Sequence, residues 1–122
     1  MKRGIAIAGF VLIGTSLMVP QPAGAHAFLD HSDPKVGSTV SQSPPALTLV
    51  FTEGVEPAFS LIEVTDEAGA AIEAKQVEHP QTDTLRVALP SLKPGTYKVH
   101  WSVVSVDTHA TEGTFRFSVK AP

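Results

Sequence analysis

The stretch SVDTHATEGTF, Ser105 to Phe115, places Asp107 and His109 two residues apart. In an extended chain an i, i+2 pair projects to one side, so a carboxylate oxygen and an imidazole nitrogen can converge on one cation. An isolated Asp-x-His is also an ordinary polar strand end, and further donors must come from elsewhere. His26, in PAGAHAFLD, can supply two of them. If the chain begins at His26, its free α-amine and its ring Nδ1 close a chelate ring on the same ion. Three nitrogens and one oxygen suit a tetragonal site, which favours Cu(II) by geometry and by its place in the Irving–Williams order. Zinc accepts the same donors but prefers a tetrahedron. One Cu(II) per chain, held by His26, Asp107 and His109, is therefore the sharper expectation. A different copper mode needs histidine third in the chain, and a chain starting at His26 has Phe28 there.

The remaining histidines read as less chemical. His100 falls in the outward phase of a strand that carries Val99 and Trp101, as a surface histidine does. His79 precedes Pro80 in VEHPQTD and reads as a loop residue; His31, in LDHSDP, is either an accessory ligand or a turn residue.

Whether His26 can be first depends on the N-terminal segment. Lys2 and Arg3 precede an uncharged run from Ile5 to Val19, and small residues follow. That is the layout of a secretory signal peptide, with an apolar run shorter than the roughly 20 residues of a membrane-spanning helix. Two small-x-small sites overlap, Ala23-Gly24-Ala25 and Ala25-His26-Ala27. A cut after Ala25 makes His26 the first residue, whereas a cut after Ala27 makes it Phe28. The expected organisation is a cleaved signal peptide over residues 1–25 and one domain over residues 26–122, exported to the periplasm with no membrane insertion after cleavage. That domain is long enough for one core and too short for two.

Composition narrows the chemistry further. The chain has no cysteine, so thiolate sites and disulfides are excluded although export would permit them. Met1 and Met18 are its two methionines, and both precede His26. Cuprous ion prefers soft sulfur, so no Cu(I) methionine site is expected. The net charge is −3, and it becomes more negative without Lys2 and Arg3, which is no footprint for nucleic acid.

The elements that must position these residues are strands. Leu47, Leu49 and Phe51 alternate with Thr48, Val50 and Thr52; Leu85, Val87 and Leu89 repeat the pattern. The clearest runs are Tyr97, Val99, Trp101 and Val103, and then Phe115, Phe117 and Val119. Period two marks strands with one buried face. Asp33-Pro34, Ser43-Pro44-Pro45, Ala68-Gly69, His79-Pro80 and Lys93-Pro94-Gly95 separate them as turn formers. About seven short strands at such spacing predict an all-β antiparallel sandwich.

Three blocks of the chain resemble the CopC family, the small periplasmic copper-binding proteins that include PcoC and YobA-like members. They are HAFLDHSDPKVGS at the start, LTLVFTEGVEPAFS in the middle and PGTYKVHWSVVSVDTHATEGTFRFSV near the end. The last is the most specific, with Gly-Thr-Tyr, Trp, Ser-x-Asp-x-His and Gly-x-Phe-x-Phe in order. The resemblance spans nearly all of His26 to Lys120. It implies a seven-stranded Greek-key β-sandwich, cupredoxin-like or immunoglobulin-like, and a Cu(II) site built from His26, Asp107 and His109. It also implies that Glu53, at a Phe-Thr-Glu position, orients His109 or binds weakly. Some members carry a methionine-rich loop for Cu(I), where this chain has TDEAGAAIEAKQVEHPQTD without methionine.

The function so implied is copper resistance, buffering or delivery by a monomer with a CopD-like inner-membrane protein as partner, and with no catalytic step. Two other functions fit parts of the sequence: an N-terminal-histidine copper mono-oxygenase, and a metal-free immunoglobulin-like adhesion or chaperone module. An anionic Asp107 on the metal disfavours the reduced state that oxygen chemistry needs.

Overall fold

The computed structural model describes residues 26–122; the signal segment read over residues 1–25 lies outside the described residues. Nine strands follow in order: β1 (Leu29–Asp33), β2 (Thr39–Val40), β3 (Ala46–Phe51), β4 (Leu61–Thr65), β5 (Ala71–Ile72), β6 (Glu78–Gln81), β7 (Thr84–Ala88), β8 (Gly95–Val104) and β9 (Ala110–Val119). A single 3-10 turn, Pro57–Phe59, precedes β4. They form two sheets, β1-β3-β7-β6 and β2-β9-β8-β4-β5. This is the all-β sandwich that the alternation predicts.

Seven of the strands have four or more residues; β2 and β5 have two each and only edge the second sheet. Strands so short carry no readable period. β2 runs parallel to β9, unlike every other pairing. Gly37, at φ +74, turns the chain onto that edge, where its N–H donates to the Arg116 carbonyl at 2.7 Å. His79-Pro80 is not a turn either: both residues lie in β6, an edge strand exposed along its length. Proline is tolerated there because no partner strand needs its missing N–H.

The core lies between the sheets and obeys the period-two pattern. Leu47, Leu49, Phe51, Leu85 and Val87 face inward from one sheet. Ile62, Val64, Val99, Trp101, Phe115 and Phe117 face them from the other. Each such side chain contributes about 1.5–3 kcal/mol when fully buried. Phe51 meets Trp101 edge to face across the gap, with ring centroids 5.2 Å apart.

Trp101 is opposite Gly113 in the β8–β9 register, and a Cβ at Gly113 would lie 2.5 Å from the indole Cζ2. Glycine is needed there for space. Gly113→Ala is expected to destabilise the fold by about 1–3 kcal/mol, the usual penalty of overpacking, read as a lower denaturant midpoint. An unchanged midpoint would show that the indole can move aside at little cost.

The β8–β9 hairpin also fixes one end of the sandwich. Ten registered pairs run from Gly95↔Val119 to Val104↔Ala110, so the connecting turn is held by the longest ladder in the domain. The start of β1 and the exit from β3 reach the same end, through the pair Leu29↔Phe51. Those three segments carry His26, Glu53, Asp107 and His109.

Candidate metal centre

Asp107 and His109 are brought together by a turn rather than by an extended strand. The Ser105 N–H donates to the His109 carbonyl at 2.8 Å, and the Thr108 N–H donates to the Ser105 carbonyl at 2.8 Å. Thr108, between the two candidate ligands, sits at φ +75. That region is unfavourable for a β-branched residue, and such strain collects at functional sites. It reverses the chain so that His109 Nδ1 stands 3.3 Å from Asp107 Oδ1.

Ser105 sets the carboxylate. It is 1% exposed, and its hydroxyl donates to Asp107 Oδ1 while accepting the His109 N–H at 3.3 Å. The Ser105 hydrogen bond above all, partly opposed by desolvation and reinforced by His109, holds the Asp107 carboxyl below the usual carboxylate range. It therefore stays anionic in mildly acidic solution.

His26 reaches the turn because the next two residues are pinned. Ala27 is fully buried, and its carbonyl accepts from the Thr111 hydroxyl at 2.5 Å. The Phe28 N–H donates to the Thr52 hydroxyl at 3.0 Å, and the Thr52 N–H returns a bond to the Phe28 carbonyl at 2.8 Å. The rings of His26 and His109 then lie with centroids 4.4 Å apart, at 89° to one another. Asp107 and His109 keep 42% and 52% of their side-chain surface exposed.

The three side chains are thus neighbours at an open edge. Among the described residues, no group of three or more His, Asp or Glu is arranged to hold a metal ion as it stands. Exposed side chains can rotate at small cost, so proximity is what the fold provides. Glu53 belongs to the loop after β3, which lies against the turn through the Val55↔Ser105 bridge and the Val106 N–H donating to the Gly54 carbonyl at 3.0 Å. Glu53 is half-buried and has no hydrogen bond or ion pair among the described residues; the carboxylate facing His109 is that of Asp107.

The other histidines have other partners. His31 lies in β1 and pairs with its neighbour Asp30 at 2.7 Å. His79 Nε2 faces the Thr82 carbonyl at 3.1 Å. His100, on the outer face of β8, has Nε2 2.8 Å from Glu112 Oε1 and Nδ1 3.3 Å from Glu63 Oε1. Only the imidazolium can donate from both nitrogens.

The Glu112 hydrogen bond foremost, opposed by desolvation and reinforced by Glu63, raises the His100 pKa above 6.5. Protonation is then tighter in the folded state than in the unfolded one. The resulting stability is complete below the unfolded value and is lost as pH rises through the higher folded value. The melting temperature is expected to drop as pH rises from about 6.5 through the higher folded value, and to drop less in His100→Gln. Parallel losses in the two proteins would show that the bridge contributes nothing.

A family model described as the CopC domain matches residues 29–120. The chain is 42% identical to Protein YobA of Escherichia coli strain K12 over 112 residues, covering 89% of this chain and 90% of that protein. Among solved structures, CopC from Methylosinus trichosporium OB3b superposes with a TM-score of 0.73 at 35% identity, covering 79% of this chain and 95% of the other. PcoC from Escherichia coli, described as a methionine-rich copper resistance protein, gives 0.72 at 30%, covering 78% and 99%.

Proposed function

The chain belongs to the CopC family of copper proteins, and from that premise we propose that residues 26–122 carry one Cu(II) through His26, Asp107 and His109. The observation that carries the reading is the edge-to-face contact of the His26 and His109 rings at 4.4 Å, with Asp107 Oδ1 3.3 Å from His109 Nδ1. Cleavage after Ala25 frees the His26 amine, which with the ring Nδ1 forms the chelate; His109 adds a third nitrogen and Asp107 an anionic oxygen. This donor set suits Cu(II).

Burial of Ala27 supports that cleavage site. A cut after Ala27 would remove a core residue and the acceptor of the Thr111 hydroxyl. It would also remove the chelate.

The edge position of the site suits a carrier. Half-exposed ligands let an ion enter and leave without opening the sandwich. The domain therefore acts in the periplasm as a monomeric buffer or delivery protein, handing copper to a CopD-like protein of the inner membrane. PcoC is described as methionine-rich, whereas residues 26–122 of this chain contain no methionine. Its cargo is held by nitrogen and oxygen, which favours the oxidised ion.

The test is a native mass spectrum of the protein purified from the exported fraction, after one equivalent of Cu(II) and removal of loose metal. A chain starting at His26 with one copper retained is the expected species. A chain starting at Phe28, or one starting at His26 that retains no copper, would overturn the proposal.

A further inference from the structure

We infer that the end of the sandwich bearing His26, Asp107 and His109 is also a docking face, and that its occupant is a protein presenting an apolar centre rimmed by lysine and arginine. The inference rests on the proposed copper role, since it describes the surface across which the ion would pass. Two independent distributions over the domain carry it.

The first is apolar. Five large hydrophobic side chains are exposed among the described residues, and four of them, Phe28, Phe59, Leu61 and Val106, are at this end. Phe28 follows His26 closely, with ring centroids 6.0 Å apart. Val106 adjoins Asp107 and bonds to Gly54 across the loops. Phe59 is 69% exposed in a 3-10 turn that buries none of its residues. Scattered apolar side chains need no explanation, but their concentration around one site marks an interaction surface. A hydrated metal ion gains nothing from phenyl rings.

The second is charge. The loops of this end carry Glu53, Glu56, Asp83 and Asp107, with no lysine or arginine between Thr52 and Ser60, at Thr82–Asp83 or between Ser105 and His109. At the opposite pole Lys35, Lys93 and Lys120 flank the strand ends and Lys98 and Arg116 pair in register toward it, outnumbering the Asp33, Asp66 and Glu67 that lie among them. Every ion pair among the described residues involves a histidine, so no lysine or arginine side chain neutralises the acidic end, and the single α-ammonium that cleavage after Ala25 gives His26 is outweighed by Glu53, Glu56, Asp83 and Asp107. The domain is therefore polarised along its strands.

An acidic, aromatic face is repelled by an anionic bilayer and attracted to a basic protein surface, which it would meet faster at low salt. Leu and Lys side chains on one face of a partner would satisfy both features, with the copper ligands at the centre of the contact. Another copy of this chain could offer only its basic pole, in a head-to-tail contact that does not close.

The experiment uses the copper-free exported protein, labelled with nitrogen-15, and two acetylated amphipathic peptides without histidine, cysteine or methionine, one of Leu and Lys and one of Leu and Glu. The Leu/Lys peptide is expected to shift the amides around Phe28, Phe59 and Val106. Its affinity should fall about tenfold or more between about 50 mM and 300 mM salt, as screening shortens the reach of the charges. Phe59→Ser, at an exposed position that leaves the core intact, should weaken it severalfold, while Val36→Ser should not.

Equal binding of the Leu/Glu peptide, or shifts spread over the sheets or centred on the lysine pole, would overturn the proposal. Shifts of the same amides with protein concentration alone, together with self-association in sedimentation, would make a second copy the occupant and also overturn it. Because neither peptide nor protein carries copper here, loss of the copper reading would leave this result standing, and the reverse also holds.

Discussion

A single residue retained in front of His26 is expected to lower Cu(II) affinity by more than about 100-fold, beyond the 10–100-fold typical of losing a group that only orients a ligand. The added peptide bond converts the α-amine into an amide and so removes one donor. It also ends the five-atom reach from amine to Nδ1 that lets a single residue occupy two positions on the metal. The rest of the site is untouched, because Ala27 and Phe28 stay pinned to Thr111 and Thr52. Fold and stability should therefore match those of the authentic chain.

The amine also predicts the pH response. A free α-amine has a pKa of roughly 7.7 to 8.0 and must lose its proton to coordinate. Affinity of the authentic chain should fall as pH drops below that range, by up to about tenfold per unit from this group alone. Asp107 adds nothing to that fall at mildly acidic pH, since its carboxyl is held below the usual range. Competition with a chelator of known affinity, in both chains and at several pH values, measures the difference. Equal affinities for the extended and authentic chains, or a flat profile for the latter, would remove the amine from the site.

His109→Ala should cost more than Asp107→Ala. His109 is the nitrogen donor in ring contact with His26, and the other imidazoles among the described residues have partners of their own: His31, His79 and His100 face Asp30, the Thr82 carbonyl and two glutamates. A loss of more than about 100-fold is expected. Asp107→Ala removes one oxygen, which water can replace, and about tenfold is expected. Ser105 keeps the His109 N–H as a partner in that variant, so the turn survives. The same chelator competition ranks the two, and the reverse order would identify Asp107 as the anchor.

The sandwich was legible because one face of each long strand is buried. In β3 every second residue from Leu47 is buried, and in β8 every second residue from Tyr97. That alternation survives any detail of packing. The two-residue strands β2 and β5 were not legible, since a pair of residues has no period and owes its strand geometry to the neighbouring edge. Pro80 read as a turn because local propensity is blind to the fact that β6 lies on an edge.

For the site, the sequence by itself determined the donor types: two imidazoles and a carboxylate, with neither thiolate nor thioether after residue 25. Their spacing suggested convergence along an extended strand, and only the tertiary structure decided that a turn does it, through the left-handed backbone of Thr108. It also decided that Ser105 holds Asp107 and that Thr111 holds Ala27 from 84 residues away. The gathering of exposed aromatic and acidic residues at the same pole likewise depends on which strand ends meet. Chemistry belongs to side chains and can be read one residue at a time, whereas proximity between distant residues exists only once the two sheets have packed.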